Sequence, residues 1–147
     1  MWSFYQVKKR ELKVLLVDDD PGQIALALAA IRKVNVQLSS SNKIYTEIVR
    51  DGQGALDRVR KGGIDLVLLD LRMPKMDGFE VLRAIKFDLK LRKIPVVILT
   101  TSDLDTDIDA AMSSYANAYL VKPIDHESLV AVMGHLKNFW SSSEIVS

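Results

Sequence analysis

Apolar residues in this chain gather in short runs, separated by stretches where they recur at helical spacing. The runs at 12–17, 44–49, 64–69, 95–99 and 118–121 read as strands, and the first has the aliphatic density of a strand buried on both faces. Asp20 followed by Pro21 is an N-cap with proline in the first turn, opening a helix to about Val34 whose face carries Ile24, Leu28 and Ile31. Residues 35–42 hold three consecutive serines and read as a loop. Asp51-Gly52 turns into a second helix that stops before Gly62-Gly63. After a loop at 74–78, Phe79, Val81, Leu82 and Ile85 mark a third helix, and residues 90–93 lead to the fourth strand. Asp103 or Asp105 caps a fourth helix to about Ala116, and Asp125 a fifth to about Trp140. Strand alternating with helix five times predicts a doubly wound α/β sheet of parallel strands with helices on both faces.

Length and composition narrow the function classes. The 147 residues fit one domain, expected to span 1–147 with a core at about 12–140 and short flexible termini. A hydrophobic share of 48% with 27% charge is that of a soluble globular chain. A net charge of +1 supplies no field for nucleic acid or an anionic membrane, and neither is expected as a partner. No run approaches the roughly 20 apolar residues of a membrane span. The apolar start precedes its basic residues, Lys8, Lys9 and Arg10, which is the wrong order for a secretory signal. Cysteine is absent, which excludes disulfides and thiolate metal sites and fits a cytoplasmic location.

The chemistry concentrates where strands end. The first run leads into Asp18, Asp19 and Asp20, the third into Asp70, the fourth into Thr100 and Thr101, and the fifth into Lys122-Pro123. In an open parallel sheet the carboxyl ends share one edge, so these residues meet in one crevice; Asp18, Asp19 and Asp70 converge if strands one and three are neighbours, as in the order 2-1-3-4-5. Clustered carboxylates repel unless a cation offsets them, and an all-oxygen site favours Mg²⁺ or a similar hard ion. One carboxylate beside such an ion can act as a nucleophile and form an aspartyl phosphate, with Lys122 and Thr100 placed to stabilise phosphoryl oxygens. Taken singly, each residue has an ordinary explanation as a cap or turn, and for Asp20 that explanation is the best one. Their coincidence at one edge points to phosphoryl chemistry.

At these residues the chain resembles the receiver domain of two-component response regulators. The matching segments are Val14-Leu-Leu-Val-Asp-Asp-Asp20, Asp65-Leu-Val-Leu-Leu-Asp70 with Met73-Pro-Lys-Met-Asp-Gly78, Pro95-Val-Val-Ile-Leu-Thr100 and Ala118-Tyr-Leu-Val-Lys-Pro123. The resemblance implies a flavodoxin-like (βα)5 fold, a five-stranded parallel sheet of order 2-1-3-4-5. It implies that Asp70 accepts a phosphoryl group from a phosphohistidine on a sensor histidine kinase. It also implies Mg²⁺ held by Asp19 and Asp70, with Asp18 acting mostly through water and the Arg72 backbone carbonyl completing the protein ligands. Thr100 and Lys122 then bind the phosphoryl oxygens, a cis peptide precedes Pro123, and Tyr119 is the aromatic switch residue. The resemblance further implies a readout face made of the fourth helix, fifth strand and fifth helix, and signalling by binding a downstream protein rather than by catalysis. Thr101 and Arg72 depart from the commonest pattern, so the acyl-phosphate lifetime is expected to change in Thr101→Ala and Arg72→Ala.

A narrower resemblance is to single-domain regulators paired with bacterial phytochromes. It rests on Thr100-Thr-Ser102, the connections around 39–41 and 90–93, and Phe139-Trp140. It implies a phytochrome as the kinase and a homodimer through the last helices, where Phe139 and Trp140 extend an apolar stripe from Leu129, Val132, Met133 and Leu136. Two other readings compete. Asp18 and Asp20 have the spacing of the nucleophile and acid in haloacid dehalogenase-type aspartyl-phosphate hydrolases, and a phosphorylation-independent adaptor needs none of this chemistry. Gly52-Gln53-Gly54 lacks the third glycine of a dinucleotide loop and reads as a turn, and His126 and His135 read as solvated surface.

Overall fold

The computed structural model describes residues 10–38, 42–73, 77–101 and 105–132. Strands β1 (Arg10–Val17), β2 (Asn42–Val49), β3 (Leu66–Asp70), β4 (Val96–Thr100) and β5 (Ala118–Val121) alternate with helices α1 (Pro21–Gln37), α2 (Gly52–Arg60), α3 (Gly78–Lys86) and α4 (Asp105–Ser113). Helical residues 126–132 follow β5 and open α5. All strand pairs are parallel, in the order β2-β1-β3-β4-β5. This is the flavodoxin-like arrangement that the alternating pattern and the resemblance predicted.

Alternation of side chains along each strand splits the core into two layers. Leu15, Val17, Val67, Leu69, Val96 and Ile98 face α2 and α3, meeting Ala55, Leu56, Val59, Val81, Leu82 and Ile85, with Ala111 of α4 in the same layer. Val14, Leu16, Leu66, Leu68, Val97 and Leu99 face the other way, against Ile24, Ala27, Ala30, Ile31 and Val34 of α1 and Leu129 of α5. Every residue of β3 and β4 is buried, so the strands that carry Asp70 and Thr100 are anchored from both faces. Truncating one of their leucines to alanine costs about 2–5 kcal/mol.

Element ends differ from the expectations in instructive ways. β1 and β2 begin two residues early because polar residues extend the ladder: Arg10 pairs with Asn42 and Glu11 with Lys43. β3 and β4 are displaced toward their carboxyl ends, starting at Leu66 and Val96 and taking in Asp70 and Thr100. The loop expected from 35 onward starts at Leu38, because Asn35 stays helical and its side chain is stapled to β2. Its Oδ1 accepts from the Ile44 N–H at 2.8 Å and its Nδ2 donates to the Ile44 carbonyl at 3.0 Å. α4 ends at Ser113, short of Ala116, where Tyr115 adopts a left-handed φ of 69°. Gly52-Gln53-Gly54 is the first turn of α2, and Gly78 starts α3 instead of closing a loop. The N-cap at Asp20 is as expected, Asp51 caps the helix that its turn with Gly52 was expected to open, and Asp125 accepts from the Ser128 N–H at 2.6 Å. His126 is half-buried and hydrogen-bonded to Gln37 at 3.0 Å, where a solvated surface position was expected. The serines at 39–41, Asp103, His135 and the Phe139-Trp140 pair lie outside the described residues.

Candidate functional site

Parallel register delivers the predicted residues to one edge. Asp18 and Asp19 stand just past β1, Asp70 closes β3, Thr100 closes β4, and Lys122 follows β5. Asp18, Asp70, Thr100 and Lys122 are fixed through their backbones. The Asp18 N–H donates to the Val49 carbonyl at 3.1 Å, and the Lys122 N–H donates to the Thr100 carbonyl at 2.7 Å. The Lys122–Pro123 peptide is cis. Asp18, Asp70, Thr100 and Lys122 are the buried polar and charged residues among those described, and Asp19 is half-buried beside them.

The lysine bridges carboxylates. Lys122 Nζ donates to Asp18 Oδ2 at 2.5 Å and stands 3.7 Å from Asp70 Oδ2, joining residues 104 positions apart. The other Asp18 oxygen accepts the Asp20 N–H at 3.0 Å, and Asp70 Oδ1 accepts the Arg72 N–H at 3.2 Å. Burial pushes the Asp70 carboxyl up to about 6 from its ordinary 3.8, against the pull of Lys122 and the Arg72 N–H; the neighbouring Asp18 adds to the rise. An acid held near neutrality in this way is a mark of functional sites.

Asp18, Asp19 and Asp70 each offer an oxygen within 4.8 Å of the others. Hard donors only, two of them buried and one half-buried, suit a divalent ion such as Mg²⁺ or Mn²⁺, and a positive ion relieves the repulsion left among three carboxylates of which Lys122 reaches Asp18 and Asp70. Asp20 does not join them. It is exposed, and its Oδ1 accepts from Gly22 and Gln23 at 2.8 and 3.3 Å as the cap of α1, so the Asp18/Asp20 pairing of a hydrolase is not formed. Tyr119 lies exposed in β5, in register with Ile98, and Thr101 is exposed beside the buried Thr100.

Two contacts escaped the sequence. The Arg72 side chain is ion-paired with Asp107 of α4, and Gly78 packs on the backbone of Asp70 and Leu71. Neither contact is written in local pattern: Arg72 and Asp107 stand 35 positions apart, and Gly78 was read only as the end of a loop within a matching segment.

A parallel sheet of this order, with three aspartates, a threonine and a lysine at its carboxyl edge, defines a receiver domain. Residues 14–133 match the family model described as response regulator receiver domain, and the chain belongs to that family. Among relatives, the probable methanogenesis regulatory protein FilR2 of Methanothrix harundinacea is 42% identical over 133 residues, covering 86% of this chain and 82% of that protein. Response regulator Rcp1 of Synechocystis is 38% identical over 134 residues, 86% of this chain and 87% of its own. The solved Mn²⁺-bound form of Rcp1 superimposes with a TM-score of 0.66 at 30% identity, covering 92% of this chain and 96% of that one. The phosphorylated cyanobacterial phytochrome response regulator RcpA gives 0.69 at 34% identity, over 91% and 96%. No helix among the described residues is long and apolar enough to cross a membrane.

Proposed function

We propose that this protein is a phosphoacceptor in two-component signalling, taking a phosphoryl group on Asp70 from a sensor histidine kinase. The observation that carries the reading is the buried lysine standing between Asp18 and Asp70. In the transfer an Asp70 carboxylate oxygen attacks phosphorus, the bond from phosphorus to the kinase histidine breaks, and that imidazole leaves with the electron pair. Lys122 and Thr100, at the ends of adjacent strands, donate to the phosphoryl oxygens. Asp19 and Asp70 would hold Mg²⁺ directly and Asp18 through water, with the Arg72 carbonyl as a further ligand. When bound, the ion offsets the charge of the carboxylates and of the arriving phosphoryl group. The Mn²⁺-bound form of Rcp1 supports a divalent ion at this edge.

The phosphoryl group biases a two-state surface, read through α4, β5 and α5, with Tyr119 turning inward as Thr100 moves toward the phosphate. The output is binding to a downstream protein rather than turnover of a substrate, and the setting is the cytoplasm. The likeness to RcpA, a phytochrome response regulator by name, supports a phytochrome-type kinase as the narrower reading, and a homodimer through the last helices is proposed with it. FilR2, a regulator named for methanogenesis, is the more similar sequence, so the light input is tested on its own by transfer from a phosphorylated phytochrome kinase.

The primary test is incubation with phosphoramidate and Mg²⁺ followed by mass spectrometry. One acid-stable, base-labile phosphoryl group on Asp70, lost in Asp70→Asn, is the expected result. Label on Asp18 with rapid turnover assigns a hydrolase instead, and no label assigns an adaptor.

A further inference from the structure

Outside the lysine–carboxylate cluster, one ion pair ties the acceptor loop to α4. Arg72 Nη2 meets Asp107 Oδ2 at 2.5 Å, across 35 positions of sequence. The arginine stem begins at the acceptor itself, since the Arg72 N–H donates to Asp70 Oδ1. The two side chains are unequally placed: Arg72 is 62% exposed and Asp107 16%. The cation is therefore the partner free to swing, on a stem rooted beside Asp70, while the anion stays seated on its helix.

A phosphoryl group on Asp70 changes what that cation faces. It brings about −1.5 to −2 charges and three acceptor oxygens, a set that a guanidinium fork can grip through two parallel bonds. Against this, Asp107 offers one charge in an exposed pair, the kind that contributes little. We infer that Arg72 exchanges partners on phosphorylation, leaving Asp107 for the phosphoryl oxygens and releasing α4 from the acceptor loop. Arg72 is thus a third donor to the phosphoryl group, and Asp107 a positioning residue that acts through it. The inference rests on Asp70 being the acceptor.

A double-mutant cycle on the full chain tests it, with phosphoramidate and Mg²⁺ as donor and intact-mass spectrometry as readout. Arg72→Gln slows phosphorylation by about two- to five-fold, and Asp107→Asn, which frees the guanidinium, speeds it by a similar factor. In the Arg72→Gln background, Asp107→Asn has no effect. Two charges acting only through the general field would add independently, and a static bridge would shift both single variants in the same direction; either result overturns the exchange. A second readout is the Nε–H resonance of Arg72 in ¹⁵N NMR, identified with Arg72→Lys. Beryllofluoride with Mg²⁺ as a phosphoryl stand-in shifts it, and Asp107→Asn shifts it only in the beryllofluoride-free protein. A resonance indifferent to beryllofluoride rejects the inference. Wild type that takes up no phosphoryl group refutes the Asp70 assignment and the inference together, whereas labelled wild type with an additive cycle refutes the exchange alone.

Discussion

Asp70→Asn is expected to make the metal-free protein more stable at neutral pH. Burial holds the Asp70 carboxyl at about 6 in the folded chain, against 3.8 when unfolded, so the native state prefers this side chain protonated. A group raised on folding contributes most below its unfolded value, and the contribution is lost as pH climbs through the folded value. Between pH 4 and pH 7 that loss comes to about 2–2.5 kcal/mol for Asp70. The attraction of Lys122 at 3.7 Å is already contained in the net rise and does not cancel it. Asparagine keeps an acceptor for the Arg72 N–H and carries no charge. In chelator, urea melts should therefore coincide near pH 4 and separate by about 2–3 kcal/mol at pH 7, equivalent to a rise in Tm of roughly 5–10 °C at this size. A gap that stays constant with pH, or a less stable Asp70→Asn at pH 7, would refute the argument by showing that the lysine fully compensates the buried charge.

Other outcomes follow from the same geometry. Lys122→Met strands the buried Asp18 without its cation and should lower stability at pH 7 by about 3 kcal/mol in chemical denaturation; a loss under 1 kcal/mol would mean the pair is solvated. Mg²⁺ at a hundredfold excess over its dissociation constant should raise stability by about 2.7 kcal/mol, reversibly with chelator, and Asp19→Ala should lose most of that gain; melts unmoved by Mg²⁺ would exclude the carboxylate cluster as a metal site. In Gly78→Ala the new methyl meets backbone at 2.5 Å, so stability should fall by about 1–3 kcal/mol and phosphorylation of Asp70 should slow, both read against wild type in the melting and labelling assays.

The parts legible in the sequence are those that local pattern controls. Central parallel strands are buried on both faces, so β3 and β4 read as unbroken apolar runs and their terminal Asp70 and Thr100 could be aligned before any coordinates. Caps at Asp20 and Asp125 were equally plain, because an aspartate side chain is the natural acceptor for free N–H groups at a helix start. Strand starts were missed where polar Arg10, Glu11, Asn42 and Lys43 join the ladder, since backbone pairing needs no apolar side chain. The end of α4 was missed because a left-handed tyrosine at 115 gives no warning in composition. The pairing of Lys122 with Asp18 was not foreseen, because 104 residues separate the two in the chain. Arg72 and Asp107 meet across 35 positions of sequence, a separation that conceals the pair from any local reading.

Gly78 gives α3 a mechanical role. A methyl there would sit 2.5 Å from the carbonyl oxygen of Asp70 and from the Leu71 Cα, and the Gly78 N–H is hydrogen-bonded to the Leu71 carbonyl at 3.0 Å. The first turn of α3 is in effect bolted to the back of the acceptor strand, with no compressible side chain between them. Force applied to that helix by a bound protein reaches the Asp70 backbone directly, so under the proposed function a ligand gripping α3 alone retunes phosphotransfer without touching a single carboxylate.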